Sequence, residues 1–206
     1  PAHVVAWREE GIFERGVQLD AAGGFTWNER PASGALLAAA AEIGVQSSLP
    51  PGYESEISLA ARAWAGEWGH RLRCGALLLI DYGFPRREYY HPQRLMGTIM
   101  CHYRHRAHAD PFWWPGLNDL TAHVDFSAMA ESAHAAGLDV LGYTSQAHFL
   151  LNCGLIDRLG EHHAAASSAA AHRLVSEAEM GELFKVLAVG RGIEVPLLGF
   201  AHGDRL

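Results

Sequence analysis

Apolar positions along the chain change period several times, and each change predicts an element. Over the first thirty residues short β-branched and aromatic runs alternate with turn residues. His3-Val-Val-Ala-Trp7, Ile12-Phe13 to Leu19 and Phe25-Thr-Trp27 are separated by Arg8-Glu-Glu-Gly11 and Asp20-Ala-Ala-Gly-Gly24, which predicts an antiparallel meander. Ser33 to Ile43, closed by Gly44, reads as a short Ala-rich helix with cap and stop. Pro50-Pro51-Gly52 marks a loop. From Ser55 to Leu72, Ile57, Ala61, Trp64, Trp68 and Leu72 recur at helical spacing and predict one apolar stripe packed on a core.

That helix leads into Gly75-Ala-Leu-Leu-Leu-Ile-Asp81-Tyr82-Gly83. The unbroken apolar run Ala76 to Ile80 suits a strand buried on both faces of a parallel sheet. Asp81-Tyr82-Gly83 then falls at the strand's carboxyl end, where open α/β sheets bind ligands. Pro85 to Gly116 is irregular and rich in Arg, His, Tyr and Trp; connections this long are functional or mobile. Order returns with the short segment Asp119 to Asp125, a helix from Ser127 to Ala136 stopped by Gly137, and a strand Leu138 to Tyr143. Ser145 caps a helix Gln146 to Cys153, Leu155 to Leu174 is mostly helical, and Phe184 to Val189 is a last strand.

Composition narrows the function classes. The 206 residues suit one domain, and the net charge of -7 from 23 acids and 16 bases argues against nucleic acid as a partner, because phosphate contacts need a broad basic surface. Three widely spaced cysteines, Cys74, Cys101 and Cys153, form no disulfide framework and read as reduced thiols of a cytoplasmic protein. No apolar run reaches the ~20 residues that span a bilayer.

Several side-chain groups could carry chemistry. His102, His105 and His108 recur every third residue and would share a helix face. Arg104 and Arg106 between them oppose a dication, so no metal is expected and the histidines read as solvated or substrate-facing. Asp81, Asp119 and Asp125 could serve acid/base chemistry, although Asp125 at a helix start reads first as an N-cap. Phe112, Trp113 and Trp114 are either a loop packed on the core or a wall of a substrate pocket. There is no Gly-x-Ser-x-Gly elbow.

Taken in order, Leu79-Ile-Asp-Tyr-Gly83, Gly97-Thr98 with Cys101-His-Tyr-Arg-His105, Asp119-Leu-Thr-Ala-His-Val-Asp-Phe126, Gln146 to Gly154, Glu179 to Gly192 and Pro196-Leu-Leu-Gly-Phe200 resemble the MidA family of S-adenosylmethionine-dependent methyltransferases. The resemblance implies an α/β fold, the carboxyl-terminal part of a class I (Rossmann-like) methyltransferase sheet. Residues 76–81, 138–143 and 184–189 would be its fifth, sixth and antiparallel seventh strands. Residues 1–53 would form the meander and short helix, and residues 54–206 the last strands and helices, with a substrate loop over 84–118. The family's Gly-rich donor motif and its Asn-Glu loop have no counterpart here, so the chain reads as a fragment without the main S-adenosylmethionine site, inactive alone.

Mitochondrial members of that family dimethylate an arginine on a respiratory complex I subunit during assembly, so the implied acceptor is a protein arginine. The resemblance assigns Asp81, Tyr82, Asp119, Thr121 and His123 to catalysis and Asp81 and Gly83 to the donor. Tyr103, His105, Trp113, Trp114 and Asp125 would meet the substrate. The alternative reading is a non-catalytic binding or assembly module that keeps half of the fold. An open edge on Ala76 to Asp81 would favour a homodimer.

Overall fold

The computed structural model describes residues 2–161 and 165–206; His162 and His163 lie outside them. In chain order the elements are β1 (His3–Arg8), β2 (Gly11–Leu19), β3 (Phe25–Pro31), α1 (Gly34–Ser47), β4 (Glu54–Ile57), α2 (Leu59–Arg71) and β5 (Gly75–Phe84). Then follow α3 (Arg86–Tyr89), β6 (Met100–Tyr103), β7 (Arg106–His108), β8 (Asp119–Thr121), β9 (Val124–Asp125) and α4 (Phe126–Ala135). The chain closes with β10 (Asp139–Ser145), α5 (Gln146–Asn152), α6 (Leu155–Glu161), α7 (Ala165–Val175), α8 (Met180–Leu183) and β11 (Phe184–Arg191). Two compact units result, Pro1–Ala61 with Pro85–His123, and Arg62–Phe84 with Val124–Leu206.

In the first unit the expected meander is present as an antiparallel sheet in the order β3-β2-β1-β4. Its fourth strand corrects the sequence expectation, because residues 54–57 belong to a strand and the helix begins only at Leu59. The Ser58 hydroxyl accepts the Ala61 N–H at 3.2 Å and ends the extended run. Helix α1 also runs on past the predicted stop to Ser47, with Ser48 left-handed at φ 48°. Gly44 serves packing instead: a Cβ there would lie 3.1 Å from the Trp7 indole nitrogen, which donates to the Ala40 carbonyl. Residues 85–116 are not structureless, since they hold α3 and most of a second sheet ordered β7-β6-β8.

Charge is buried in this unit. Glu54 is 8% exposed and meets Arg8 at 2.6 Å and Arg15. Bonds from Arg8 hold the Glu29 carboxyl below its ordinary range, and burial pushes the neighbouring Tyr53 hydroxyl up to about 12.

The second unit is a sheet ordered β10-β11-β5-β9 with helices against it. Strand β11 lies between β10 and β5 and runs antiparallel to both. The short β9 pairs parallel with β5 only at Gly83 and Phe84. Burial therefore corrects the expectation for β5: its faces alternate, with Leu78 46% and Ile80 52% exposed. The fully buried strand is β11, from Lys185 to Gly190. The predicted stripe of α2 is overturned as well, because its buried residues are Ala65 and Gly69 while Trp64 is 45% exposed. The small residues face inward because α2 approaches the end of α4 too closely for anything larger.

Arg191 ties these helix ends together. Its guanidinium donates to the carbonyls of Gly69, Leu72, Ala136 and Gly137 at 2.9–3.2 Å, satisfying the acceptors that two helix C-termini leave open. At the other end of β11, Lys185 is 1% exposed and donates to Glu182 at 3.0 Å. Glu182 also takes Arg205 at 2.8 and 3.1 Å. Burial pushes the Glu182 carboxyl up, but bonds from Arg205 and Lys185 outweigh it and the net shift is downward.

Two outcomes follow for stability. A Cβ on Gly69 would lie 2.3 Å from the Ala136 Cβ, so Gly69→Ala should lower stability by ~1–3 kcal/mol from overpacking despite the ~1 kcal/mol helix preference of Ala. A denaturant midpoint equal to that of the parent would show that the helices give way. Because the Glu182 carboxyl is depressed on folding, its contribution is complete above the ordinary value of 4.5 and is lost as pH falls through the lower folded value. Glu182→Gln should therefore lower the melting temperature at neutral pH by a few degrees, with the difference fading below pH 4.5; a pH-independent difference would contradict the charge argument.

Candidate functional site

The first unit carries an aromatic platform on the β6–β7 hairpin. The hairpin turns at Arg104 and His105, both left-handed at φ 48° and 63°, as a two-residue turn requires. The three histidines at third-residue spacing thus lie on two strands and a turn, not on one helix face. Trp113 and Trp114 stack with centroids 4.7 Å apart, and Tyr103 meets Trp114 edge-on at 4.7 Å and Trp113 at 6.0 Å. His108 packs edge-on to Trp113 at 4.8 Å and bonds Asn118 at 3.2 Å. The Asn118 amide donates to the carbonyls of Trp113 and Trp114 and secures the loop.

Trp113 and Trp114 remain 43% and 49% exposed, so the stacked pair presents indole surface to solvent. The Arg104 guanidinium lies over the Tyr103 ring at 5.4 Å, a geometry in which the ring quadrupole attracts a cation. Phe112 instead packs on Trp27 at 5.1 Å and belongs to the unit's own structure. Beneath the platform Cys101 is fully buried, and burial pushes its thiol up, away from the reactive thiolate.

Strand β8 and the residues just after it hold three of the predicted catalytic residues. Asp119 is exposed opposite His102 in the sheet, and the Thr121 hydroxyl donates to the Met100 carbonyl at 3.1 Å. The His123 N–H donates to the Thr98 hydroxyl at 3.0 Å, and the His123 carbonyl accepts the Tyr89 hydroxyl at 3.1 Å. Behind them stands Glu56, a residue that the sequence reading placed in a helix. Its carboxylate, 3% exposed, accepts the Thr98 N–H at 3.0 Å, the Ile99 N–H at 3.1 Å, the Thr98 hydroxyl at 2.8 Å and the Tyr89 hydroxyl at 3.2 Å. Gly97 is obligatory here, since at φ 70° a Cβ would sit 2.3 Å from the carboxylate. The alternation of Tyr53-Glu-Ser-Glu-Ile57 was the available signal for Glu56.

In the second unit the structure brings Asp81, Tyr82, Gly83 and Asp125 to the carboxyl end of β5. Asp81 is exposed, accepts the Tyr82 N–H at 2.8 Å and stands in register opposite Lys185. The Tyr82 ring meets Phe184 edge-on at 5.6 Å. Asp125 caps α4 by accepting the Ala128 N–H at 3.0 Å, as its position predicted, and lies 3.9 Å from Arg62. Gly83 has its open side filled: a Cβ there would be 2.2 Å from the Val124 carbonyl oxygen. Its small size serves the approach of β9. Among the described residues no group of three His, Cys, Asp or Glu could hold a metal. No helix among the described residues is long and apolar enough to cross a membrane.

Comparison with known proteins gives these features a family. Residues 1–144 match the model of a family described as "putative S-adenosyl-L-methionine-dependent methyltransferase". A crystal structure of a Burkholderia thailandensis protein, bound to S-adenosyl-homocysteine, superimposes over the whole chain with a TM-score of 0.93 and 50% identity, the chain covering 54% of it. A native crystal structure of a protein of the same superfamily from that organism gives the same TM-score and identity, with 56% of it covered. The mouse (Mus musculus) mitochondrial protein arginine methyltransferase NDUFAF7 is 33% identical over 123 residues, 56% of this chain and 26% of that protein. The chain thus spans about half the length of the solved relatives and about a quarter of the curated one. With more than half of its residues inside the family model, the chain belongs to the MidA family of S-adenosylmethionine-dependent methyltransferases.

Proposed function

We propose that the protein containing this chain transfers a methyl group from S-adenosylmethionine to an arginine side chain of a protein acceptor, and that this chain contributes the acceptor-recognising elements. The observation that carries the reading is the match to the family model over residues 1–144, together with 50% identity to a structure that holds S-adenosyl-homocysteine. Strand β11, antiparallel between β10 and β5, supports a class I methyltransferase sheet in which those three strands are the seventh, sixth and fifth. Likeness to a mouse protein arginine methyltransferase supports arginine as the acceptor.

The donor, when bound, supplies an electrophilic methyl on a sulfonium. The chain's own residues have two tasks: to orient a guanidinium and to receive the proton it loses on methylation. The half-exposed indole surface of the stacked Trp113 and Trp114, with Tyr103 against them, suits a planar cation. The exposed carboxylate of Asp119 lies on the same small sheet, with His105 at the hairpin turn and Thr121 and His123 after it. These are the groups of the first unit that we assign to acceptor binding and proton removal; in the second unit Asp81 and Tyr82 stand at the carboxyl end of β5.

A second reading, a non-catalytic binding or assembly module, is favoured by one observation: the open side of Gly83 is filled by the approach of Val124 and Phe126.

The decisive experiment gives the whole protein tritiated S-adenosylmethionine and arginine peptides. Label should enter the peptides and disappear when their arginine is replaced by lysine. Trp113→Ala should raise the acceptor KM about tenfold, the equivalent of ~1.4 kcal/mol of lost cation–π attraction, and leave donor affinity unchanged. Donor binding with no methyl transfer to any arginine or protein acceptor would support the module and overturn the enzyme.

A further inference from the structure

Glu56 stands where the alternation of β4 turns a side chain inward, and a carboxylate is tolerated there only if donors meet its oxygens. Two successive backbone N–H groups, those of Thr98 and Ile99, form a nest for an anion, and the hydroxyls of Thr98 and Tyr89 add to it. Here the anion is the protein's own.

The carboxylate has a directional consequence. A hydroxyl has one proton, and an ionised carboxylate can only accept. The Thr98 hydroxyl, 2.8 Å from Glu56, therefore turns its proton toward the carboxylate and its lone pairs toward the His123 N–H at 3.0 Å. The Tyr89 hydroxyl lies 3.2 Å from the same carboxylate oxygen, 3.1 Å from the His123 carbonyl and 3.3 Å from the Thr98 hydroxyl, and shares its single proton among them. Tyr89 is 2% exposed, so water does not compete for that proton. His123 is thus held at its N–H by the Thr98 hydroxyl, whose own proton goes to Glu56, and at its C=O by the Tyr89 hydroxyl, whose single proton Glu56 shares. The Thr121 hydroxyl bond to the Met100 carbonyl ties the other end of the segment to β6.

We infer that Glu56, acting through Thr98 and Tyr89, is the positioning residue that sets the place of the Thr121–His123 segment, and so of the acceptor it receives. The link to the acceptor rests on the function proposed above; the anchoring of the segment does not. Glu56 touches neither substrate nor donor in this role. Its effect passes through the orientation of two hydroxyls, which a neutral group at the same position would leave undirected.

The test uses the whole protein with Thr98→Val, Thr98→Ser, Tyr89→Phe and Glu56→Gln, and reads amide hydrogen exchange beside methyl transfer to an arginine peptide. Thr98→Val should speed exchange of the His123 amide by about tenfold or more, while Thr98→Ser, which restores the hydroxyl, stays within about twofold of the parent. In Thr98→Val and Tyr89→Phe, kcat should fall by about tenfold with the donor KM unchanged, the signature of misplaced groups rather than lost donor binding. Unchanged His123 exchange in a folded Thr98→Val protein would overturn the anchoring. Faster exchange with an unaltered kcat would overturn the positioning role. If Glu56→Gln or Thr98→Val fails to fold, Tyr89→Phe, which loses one oxygen only, carries the same comparison. A parent protein that methylates no arginine peptide would overturn the functional reading and with it the link to the acceptor, while the Thr98→Val to Thr98→Ser exchange ratio still decides the anchoring.

Discussion

A charge inside a fold must be met by partners that cost nothing to reorganise, and this constraint shapes both units. Glu54 and Glu56 point inward from one short strand, and each is answered differently. Two arginines meet Glu54, while backbone amides and hydroxyls meet Glu56. In the second unit Lys185 and Arg191 stand at opposite ends of the buried strand β11. One is answered by Glu182 and the other by four helix-terminal carbonyls. Truncating Glu56 or Arg191 strands polar partners that these side chains satisfy across the fold. Their geometry therefore dictates where the loops beside them can run.

The functional elements draw on that rigidity. The aromatic platform sits on a hairpin whose turn residues are left-handed, and its tryptophans are secured by Asn118 rather than by a core. The segment from Asp119 to His123 is short and has little apolar material of its own, so its position comes from hydrogen bonds to β6 and to Thr98 and Tyr89. Loops gain precision from a rigid scaffold beneath them. Here the scaffold is a sheet edge carrying a buried carboxylate.

Much of this was legible from residue order. Alternation over residues 3–31, the Asp125 and Ser145 caps, the Gly137 stop and the apolar run of β11 each led to the observed element. The misses share a cause. Residues 54–57 alternate as a strand, but two glutamates occupy inward positions, so a helical period starting at Ile57 looked stronger. Gly44 resembled a helix stop because nothing local reveals that Trp7, far away in sequence, packs against it. The segment holding His102, His105 and His108 read as irregular, yet left-handed Arg104 and His105 fold it into a hairpin.

What the sequence determined by itself was the set of local preferences and the family: strand and helix periods, caps, and motifs specific enough in combination to identify a methyltransferase. Those signals depend on residues within a few positions of one another, where periodicity and capping act. Tertiary structure alone decided which faces are buried and which polar groups meet. The apolar run of β5 alternates in exposure, with Leu78 and Ile80 on the open side, because packing in this unit covers one face of the strand more than the other. Glu56 acquires its partners from residues more than thirty positions away. Burial and polar satisfaction are properties of the assembled fold, and no local pattern encodes them.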